Sequence, residues 1–481
     1  SEHVYGRWHY KSDHYYYYLK LHYIFITDEV IKYVTVSDSG EDKRDCLTED
    51  VVVVCHTIQY ILTHARQHNI SGIYVKYSDI NTYKQHSQKT VTINLHQMPS
   101  KFDIQGQQQL TSRRHSTLQD LHFLYFQSRN TALRKWYFTL RHLELINCLI
   151  TVAHGSIFTM EDVILRDTGI VKAGDFESSE EIYFNAEILI LNSKLAARRT
   201  PAMIINLSGI YSLKLTITNC SLQSVHFKLT SYHFVVRLHN LKCYTNSFTD
   251  LINIDFPEYQ QDKCQVIVVR KIKINKVKVH DMRTNNYTAS FIFVKAGQIF
   301  LEATDNEFSN LPSTFTIKNS KKHYIFEGIN IYVYIKNSKF IQGERKHHHK
   351  GLKIELMHDI TPLIKADIKI ENCRFINHSA EYGSAIYINT QPYVRYRNSL
   401  INVDLYDTFF INNVVGKMGG SVYISQYIKT RIVNCTFILD SLPESVMSVD
   451  NIPPTGIFLA IFDKLYMTHA SFLIKHTKLL Q

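Results

Sequence analysis

The chain has 481 residues and 45% apolar content, which is enough to bury a large core. Gly (17) and Pro (9) are few, so a collagen, a mucin-like stalk or a flexible linker is excluded, and no stretch reaches the roughly 18–20 apolar residues of a membrane-spanning helix. The net charge of +11 permits acidic partners such as anionic glycans, nucleic acid or lipid headgroups, but the Lys residues are scattered, which favours a generally basic surface.

Residues 1–33 form an N-terminal segment rich in Tyr and His, with the run "HYKSDHYYYYLKLHYIFI". An alternating pattern would make this run an edge strand laid along the body of the protein, which is the interpretation we favour. The alternative is an arm that contacts a neighbouring molecule. The chain begins with Ser rather than Met, so we expect a processed chain or an excerpt of a longer one.

Residues 34–120 contain a helical pattern between stretches that read as strands. Ile58, Ile61, Leu62 and Ala65 have the spacing of one apolar helix face. This spacing predicts a short amphipathic helix before the first regular strands.

From residue 121 to 481 the chain repeats one pattern. "IENCRFINHSAEYGSAIYI" (Ile370–Ile388) is followed by "LYDTFFINNVVGKMGGSVYI" (Leu405–Ile424), with a turn residue, a small residue and a Phe in the same places. Around each turn residue, the positions four and two before it and one and three after it are apolar or small, as expected of inward positions on two strands joined by a bend. The turn positions are Asn147, Asp167, Asn192, Asn219, Asn240, Lys276, Asp305, Asn337, Asn372, Asp407, Asn434 and His469.

The length of the repeat determines the fold class. A unit of roughly 20–36 residues leaves no room for long helices and cannot bury its own apolar face, so each unit must stack on its neighbours. We therefore predict an all-β solenoid, a parallel β-helix of about twelve or more coils with a short helical cap at its N-terminal end.

The repeats resemble a known family. The "N-C-x-F" segment followed by small residues and a strand, as in "FINHSAEYGSAIYI" and "FINNVVGKMGGSVYI", is similar to the right-handed parallel β-helix of pectin-lyase-like proteins. The nearest members are the polymorphic membrane proteins and the extracellular β-helix domains of animals. The resemblance covers the chain from about Asn147 onward, and more loosely from Val34.

The resemblance also implies how the solenoid begins. In such domains a Cys pair flanks a short loop, and a helix and the first strand follow; the matching residues here are Cys46 and Cys55. A disulfide between them is the pairing we expect, while a second one between Cys243 and Cys264 stays open. A helix over the open end would cover strand edges that otherwise recruit other chains.

The repeat accounts for residues that look like site residues. Asn and Asp tolerate left-handed backbone, so we interpret the turn column as a structural bend ladder: Asn147, Asn192, Asn219, Asn240, Asn337, Asn372, Asp407 and Asn434 are its core members. Cys148, Cys220, Cys373 and Cys435 share the next, inward position with Ser and Thr. We predict that these four are free, buried thiols that act as small apolar groups.

The outward columns carry Tyr, Lys and Asp. Tyr334, Lys369, Asp404, Arg431 and Tyr466 share one column, and we read Lys369 with Asp404 as a cross-strand ion pair. A face lined by Tyr and Lys is also able to hold sugars or an anionic polymer. Polysaccharide-cleaving members of this fold class use clustered carboxylates, whereas Asp alternates here with Lys, Asn and Tyr, so we predict no catalytic residues.

Other motifs complete the functional expectation. "ERKHHHK" (Glu344–Lys350) reads as a solvated loop rather than a metal site, there is no CxxC pair for zinc, and no cofactor is expected. Among the glycosylation sequons, Asn69, Asn286 and Asn377 fall in predicted loops and are the best candidates. The last segment, "SFLIKHTKLLQ", has no evident polar cap, so we expect end-to-end stacking or continuation of the solenoid.

These observations predict a non-enzymatic, extracellular or cell-surface protein with a structural or adhesive role, assembling end to end into filaments as a sub-hypothesis. We expect self-association, or matrix and glycan partners, rather than nucleic acid. The alternative is a carbohydrate-binding or polysaccharide-cleaving β-helix that uses an outward strand face.

Overall fold

The computed structural model confirms an all-β parallel solenoid. It describes residues 32–37, 39–47, 54–76, 91–94, 101–106, 115–124, 136–152, 155–172, 185–197, 203–244, 252–255, 270–280, 290–295, 298–318, 329–342, 350–356, 364–390, 400–418, 420–425, 428–441, 459–461, 465–468 and 471–476. Within these ranges the chain has one α-helix, α1 (Ile58–His64), a 3-10 helix (Arg44–Leu47) and parallel strands that wind into three faces.

Face 1 holds the longer strands that lead into the repeat's bend. Its members, each paired in parallel with the next, are β1 (Tyr33–Val36), β2 (Gly72–Val75), β4 (Lys101–Gly106), β7 (Trp136–Arg141), β10 (Ser156–Glu161), β13 (Asn185–Leu191), the C-terminal halves of β15 (Met203–Thr218) and β17 (Val225–His239), β20 (Arg270–Asn275), β23 (Gln298–Thr304), β26 (Ile329–Lys336), β29 (Ile364–Glu371), β33 (Leu400–Tyr406), β37 (Lys429–Val433) and β40 (Leu465–Thr468).

Face 2 is a 13-stranded sheet of short strands that follow the bend. Its members are β5 (Ser116–Gln119), β8 (Leu143–Ile146), β11 (Ile164–Arg166), β14 (Lys194–Ala196), β16 (Ser221–Gln223), β18 (Lys242–Tyr244), β21 (Lys278–His280), β24 (Glu307–Ser309), β27 (Lys339–Ile341), β30 (Arg374–Ile376), β34 (Phe409–Ile411), β38 (Thr436–Ser441) and β41 (Ser471–His476).

Face 3 closes each coil. Its members are β3 (Val91–Asn94), β6 (Leu121–Leu124), β9 (Leu149–Val152), β12 (Gly169–Lys172), the N-terminal halves of β15 and β17, β19 (Ile252–Asp255), β22 (Ile292–Lys295), β25 (Ser313–Lys318), β28 (Lys350–Leu356), β32 (Ile386–Thr390), β36 (Val422–Ile424) and β39 (Leu459–Ile461). A small extra pair, β31 (Ser379–Tyr382) and β35 (Val414–Met418), lies between faces 2 and 3 of two adjacent coils.

The core is a set of aligned inward columns, because side chains alternate along each strand while the pairing register repeats from coil to coil. On face 2 the inward column begins with aliphatic residues and ends in a stack of Phe rings. Leu195, Leu222, Cys243 and Val279 are followed by Phe308, Phe340, Phe375, Phe410 and Phe437, all buried. From Phe340 to Phe437 adjacent rings lie 4.5–5.3 Å apart and within 7° of parallel.

The helical spacing in the N-terminal region predicted α1 correctly. Thr57 caps the helix, since its Oγ1 accepts a hydrogen bond from the Tyr60 amide at 3.2 Å. Ile58, Ile61 and Leu62 are buried in the same core as β1 and β2. Within the described residues, the first strand pair of face 1 is β1 with β2, from Tyr33; residues 1–31, which include the Tyr- and His-rich run, lie outside the described residues.

Candidate functional site

The bends at which face 1 turns into face 2, and face 2 into face 3, have a left-handed backbone. At every described turn position of the sequence repeat φ lies between 49° and 57°, in the region that Asn and Asp tolerate best. Lys276, the one Lys of the column, has φ 54°. His469 lies outside the described residues.

The structure divides the single predicted column into two. The amide of Asn147 donates to the Arg166 carbonyl and follows a face 2 strand, so Asn147 lies at the second bend, not the first. Asp167 lies there too, with Asp120, Ser224, Asn310, Asn377 and Asn412. The first bend holds His142, Asp162, Asn192, Asn219, Asn240, Lys276, Asp305, Asn337, Asn372, Asp407 and Asn434. The sequence template could not separate the two bends, because each is a left-handed residue followed by a buried, inward one.

Side-chain amides connect successive coils along the first bend. Five Asn side chains there donate from Nδ2 to the side-chain oxygen of the bend residue one coil earlier: Asn219 to Asn192 (3.1 Å), Asn240 to Asn219 (2.8 Å), Asn337 to Asp305 (3.0 Å), Asn372 to Asn337 (2.9 Å) and Asn434 to Asp407 (2.6 Å). At the second bend Asn147 bonds to Asp120 in the same way, at 2.6 Å. At Lys276 the ladder changes, and Asn275 reaches Asp305 instead, at 3.3 Å.

The small inward residue after the first bend links two coils through the backbone. The hydroxyl of Thr408 donates to the Tyr406 carbonyl at 2.7 Å and accepts from the Cys373 amide at 3.4 Å. Ser338 does the same between the Lys336 carbonyl and the Asn306 amide. Where a Ser, Thr or Cys occupies this position, its side chain therefore adds a hydrogen bond between coils, a role that the sequence did not reveal.

The cysteines fall into a disulfide and a set of free thiols. Cys46 and Cys55 form the disulfide, beside the parallel bridge of Val36 with Cys55. Cys148, Cys220, Cys373 and Cys435 are free and buried, as predicted, and Cys243 is free and buried too; Cys264 lies outside the described residues. Burial raises the pKa of the Cys373 thiol to about 12, and the thiol donates to the Ile335 and Glu371 carbonyls. Such thiols are unreactive at neutral pH, and they are polar bridges rather than purely apolar groups.

The glycosylation candidates differ in their surroundings. Asn69 is exposed in the turn after α1, where φ is 55°. Asn377 is partly exposed at the second bend, and its amide donates to the Ile411 carbonyl. Asn286 lies outside the described residues.

On face 1 the outward side chains of the later coils form a network of charges and rings. Lys336 Nζ and Lys369 Nζ lie 2.8 and 2.9 Å from the Glu371 carboxylate. These hydrogen bonds lower the pKa of Glu371 to about 2. Lys369 also lies over the Tyr334 and Tyr406 rings, at 5.5 and 5.3 Å from their centroids.

The predicted ion pair between Lys369 and Asp404 is wrong, because each of the two residues bonds to a different partner. The two residues are adjacent in register, but Lys369 bonds to Glu371, while Arg431 holds Asp404 with two hydrogen bonds of 3.2 Å. The geometry of Arg favours a bidentate carboxylate bond from the next coil. The neighbouring carboxylate of Asp367 also has a partner on the next coil, since Asn402 Nδ2 donates to it at 2.8 Å.

Three Tyr rings cluster on and beside face 3 in the later coils. Tyr387 and Tyr423 stack with ring centroids 5.2 Å apart, and Tyr382 meets Tyr423 edge-on at 5.4 Å. Lys350 Nζ lies 3.6 Å from the centroid of the Tyr387 ring. Burial raises the pKa of the Tyr387 hydroxyl to about 12. Nearby Glu355 accepts from Lys318 and Lys353, both at 2.8 Å.

Sequence reasoning missed a polar cluster on the early coils of face 1. Tyr33 Oη donates to the Asp103 carboxylate at 2.5 Å, and Arg141 lies 3.7 Å from Asp103 and 3.5 Å from Glu161. Asp103 is only 4% exposed, and burial raises its pKa. A sign of this cluster in the sequence was Asp103 within the strand stretch "KFDIQG". That stretch lies outside the clear repeat, so the repeat did not predict which side chains surround Asp103.

Neither a metal site nor a membrane span is found in the described part of the chain. No group of three or more His, Cys, Asp and Glu side chains there is arranged to hold a metal ion. The His run of "ERKHHHK" falls in 343–349, outside the described residues, and Lys350 opens β28. No helix within the described ranges is long and apolar enough to cross a bilayer.

Comparisons with protein-family models, with curated proteins and with solved structures found no match to this chain.

Proposed function

We propose that this chain is a non-enzymatic structural or adhesive rod of the extracellular space or cell surface, related to the pectin-lyase-like parallel β-helices. The observation that carries the proposal is the state of the outward carboxylates. Glu371, Asp404 and Glu355 are each held by one or two cations of their own chain. Carboxylates that are already paired with cations fit a stiff scaffold better than acid–base chemistry, because a catalytic carboxylate must be able to exchange a proton.

Two further features support the extracellular location. A disulfide such as Cys46–Cys55 forms and persists in oxidising compartments. The sequon at Asn69 lies in an exposed turn, where a glycan has room. Self-association, end to end into filaments, and binding to matrix glycans belong to the same proposal.

The second candidate is the carbohydrate-binding or polysaccharide-cleaving function, and the Asp103 cluster is the observation that favours it. A carboxyl group with a raised pKa beside an Arg and a Tyr resembles the chemistry of polysaccharide-cleaving sites. Its 4% exposure argues for a structural role, because the carboxylate is buried and already held by Tyr33 and Arg141.

One experiment separates the two candidates. The purified protein is incubated with a panel of acidic and neutral polysaccharides, binding is measured by co-sedimentation, and cleavage is measured by reducing ends and by the absorbance of unsaturated products. The proposal predicts no turnover by the native chain or by Asp103→Asn, and rods or end-to-end fibres in electron micrographs. Turnover that Asp103→Asn abolishes, with Glu371→Gln fully active, would establish the second candidate.

A further inference from the structure

One coil concentrates positive charge that the chain elsewhere scatters. In the stretch "RKIKINKVKVH" (Arg270–His280) every Lys lies at an outward position or at the first bend, because side chains alternate along β20 and β21. The preceding coil adds two cations on either side of the same bend. Together the six residues, which we call the cationic corner, are Arg237, Lys242, Lys271, Lys273, Lys276 and Lys278. Clustered Lys and Arg of this kind are typical of surfaces that bind polyanions.

The strand pairs of the cationic corner are unfavourable for the fold itself. Arg237 lies directly opposite Lys273, and Lys242 lies directly opposite Lys278. Like charges in directly opposite cross-strand positions destabilise a sheet. Burial lowers the pKa of Lys271, and the nearby charges of Lys273 and Arg237 lower it further. The sheet therefore holds these cations together against their repulsion.

The bend between these strands is unfavourable as well. Lys276 has a left-handed backbone, with φ 54°, at a position where the adjacent coils have Asn240 and Asp305. A long side chain gains nothing from this conformation, and it supplies no amide to the ladder. Departures from local rules that coincide at one place and add no stability are expected at a functional surface.

Carboxylates of the following coil neutralise part of the cationic corner. Glu302 lies 2.8 Å from Lys273 Nζ, and Glu307 lies 3.6 Å from Lys278 Nζ. With Asp305 at the bend between them, this coil presents an acidic border. The cationic corner therefore ends at the coil of Asp305, and an anionic ligand is confined to the two coils before it.

The remaining cations at the bend are available to a ligand. In the part of the chain that the structure describes, Arg237, Lys242 and Lys276 have no ion-pair partner, and all three side chains are exposed. On the coil before them, Arg237 faces Thr216 and Lys242 faces Ser221. Three free cations thus lie beside hydroxyl groups, on a convex edge where face 1 turns into face 2.

We propose that the cationic corner binds a sulfated polysaccharide. The inference rests on the proposed extracellular, adhesive role, and it names the class of glycan and the place where it binds. A convex edge offers exposed charge rather than an enclosed pocket, so it favours the polymer with the highest charge density. Sulfate esters supply that density, and the sugar hydroxyls between them fit the Thr216 and Ser221 side chains.

The surroundings favour a glycan over single-stranded nucleic acid. Nucleic-acid sites of that kind combine cations with aromatic rings on which bases stack. The ring beside the cationic corner on face 1 is Phe300, which is covered on one side by Lys271, at 4.6 Å from its centroid, and stacks on Tyr332, also at 4.6 Å. Its faces are therefore already occupied.

The test is binding of fluorescein-labelled heparin to the full chain, measured by fluorescence anisotropy at several salt concentrations. Arg237→Gln/Lys242→Gln/Lys276→Asn removes the three free cations and should weaken binding at least about tenfold. The dependence of the Kd on salt should also become shallower, because fewer ion contacts form. Lys76→Gln/Lys228→Gln/Lys339→Gln removes three exposed cations elsewhere on the rod, and as the matched control it should change the Kd less than about twofold.

A second variant keeps the proposal falsifiable if the first triple variant unfolds. Glu302→Gln/Glu307→Gln removes the acidic border and frees two more cations, so it should tighten heparin binding about threefold, which misfolding cannot do. Hyaluronan, which carries carboxylates but no sulfate, and single-stranded DNA should both bind more weakly than heparin.

The outcomes also separate this inference from the proposed function. Equal losses in the two triple variants, or tighter binding of hyaluronan or DNA, would overturn the cationic corner as a sulfated-glycan site. A native chain that does not bind heparin would overturn it too. In each of these cases rods or fibres in electron micrographs would still support the structural role.

Discussion

The early coils, up to Val279, and the later coils, from Asp305 to Phe437, use the same backbone but hold it together differently. The early coils fill the inward column of face 2 with Leu195, Leu222, Cys243 and Val279, whereas the later coils fill it with a stack of Phe rings. On the outside, both regions have ion pairs from coil to coil, such as Lys214 with Glu187 in the early coils and Lys336 with Glu371 in the later ones, and the later coils also place Lys369 over the Tyr334 and Tyr406 rings. Lys276, where the bend ladder changes, lies in the last of the early coils, next to the later region.

Comparing the two regions separates the features that the solenoid fold requires from the features that only the later coils have. Both regions keep the left-handed bends, the parallel register and the alternating burial, so these features are the requirements of the fold. The ring stack and the cation–π contacts of the outward network are additions that stabilise one region beyond those requirements. Stability in such an array is a sum of coil and interface contributions, so the two regions are expected to differ in local stability.

The largest expected effect comes from breaking the ring stack. Phe375→Ala removes a buried ring that stacks on Phe340 and Phe410, and it should lower the free energy of unfolding by about 3–5 kcal/mol, measured by urea denaturation followed by circular dichroism. Phe375→Leu, which keeps most of the apolar volume, should cost about 1–2 kcal/mol. Leu222→Ala is the matched change in the early coils and should cost less than Phe375→Ala; equal costs would remove the energetic difference between the regions.

A smaller effect is expected at the bend ladder. Asn372→Ala loses the hydrogen bond to Asn337 and strains a left-handed residue, and we expect a loss of about 1–2 kcal/mol in the same denaturation assay. Asn372→Gly restores the backbone preference but not the bond, so its loss should be about half as large. If Gly were as costly as Ala, the side-chain bond rather than the backbone would account for the whole effect.

The junction offers a way to reduce the difference between the regions. Lys276→Asn supplies a residue that tolerates φ 54° and an amide in register with Asn240 and Asp305, so it should stabilise the protein by about 0.5–1 kcal/mol in thermal unfolding. Lys276→Gly, which relieves the backbone without adding an amide, is the control. No gain from Asn over Gly would show that the ladder contributes nothing there.

The smallest effect tests the outward network through its pH dependence. The pKa of Glu371 in the folded protein is about 2, below its ordinary value of 4.5, because Lys336 and Lys369 bond to it. Its contribution is therefore fully present above about pH 4.5 and is lost as the pH falls toward 2. Since the side chain is 23% exposed, solvent limits the contribution to about 0.5 kcal/mol.

The matching experiment compares Glu371→Gln with the native chain across pH 2–7, by thermal unfolding. The variant should lose less stability on acidification than the native chain. Glu187→Gln, which removes the early-coil carboxylate bonded to Lys214, is the matched control for a general effect of charge. Parallel pH profiles of Glu371→Gln and the native chain would contradict the account of Glu371.

The sequence predicted the fold because each coil repeats an inward pattern that only stacking can bury. It placed Phe375, Cys373 and Asn372 correctly inward or at a bend, since these depend on local backbone alone. It merged the two bends, because both need the same residue types, and it mispaired Lys369, because the choice between Glu371 and Asp404 depends on side-chain reach rather than register. The Asp103 cluster was missed because its members are brought together only by the stacking of coils without a clear repeat.

The most direct test of the account is native-state hydrogen exchange, read by mass spectrometry on peptides from the two regions. If the ring stack and the outward network add stability to a shared scaffold, amides in β29, β33 and β34 should exchange at least about tenfold more slowly than those in β13, β14 and β16, which corresponds to about 1.4 kcal/mol. Phe375→Leu should bring the two sets closer together. Equal protection in both regions, or slower exchange in the early coils, would contradict the account.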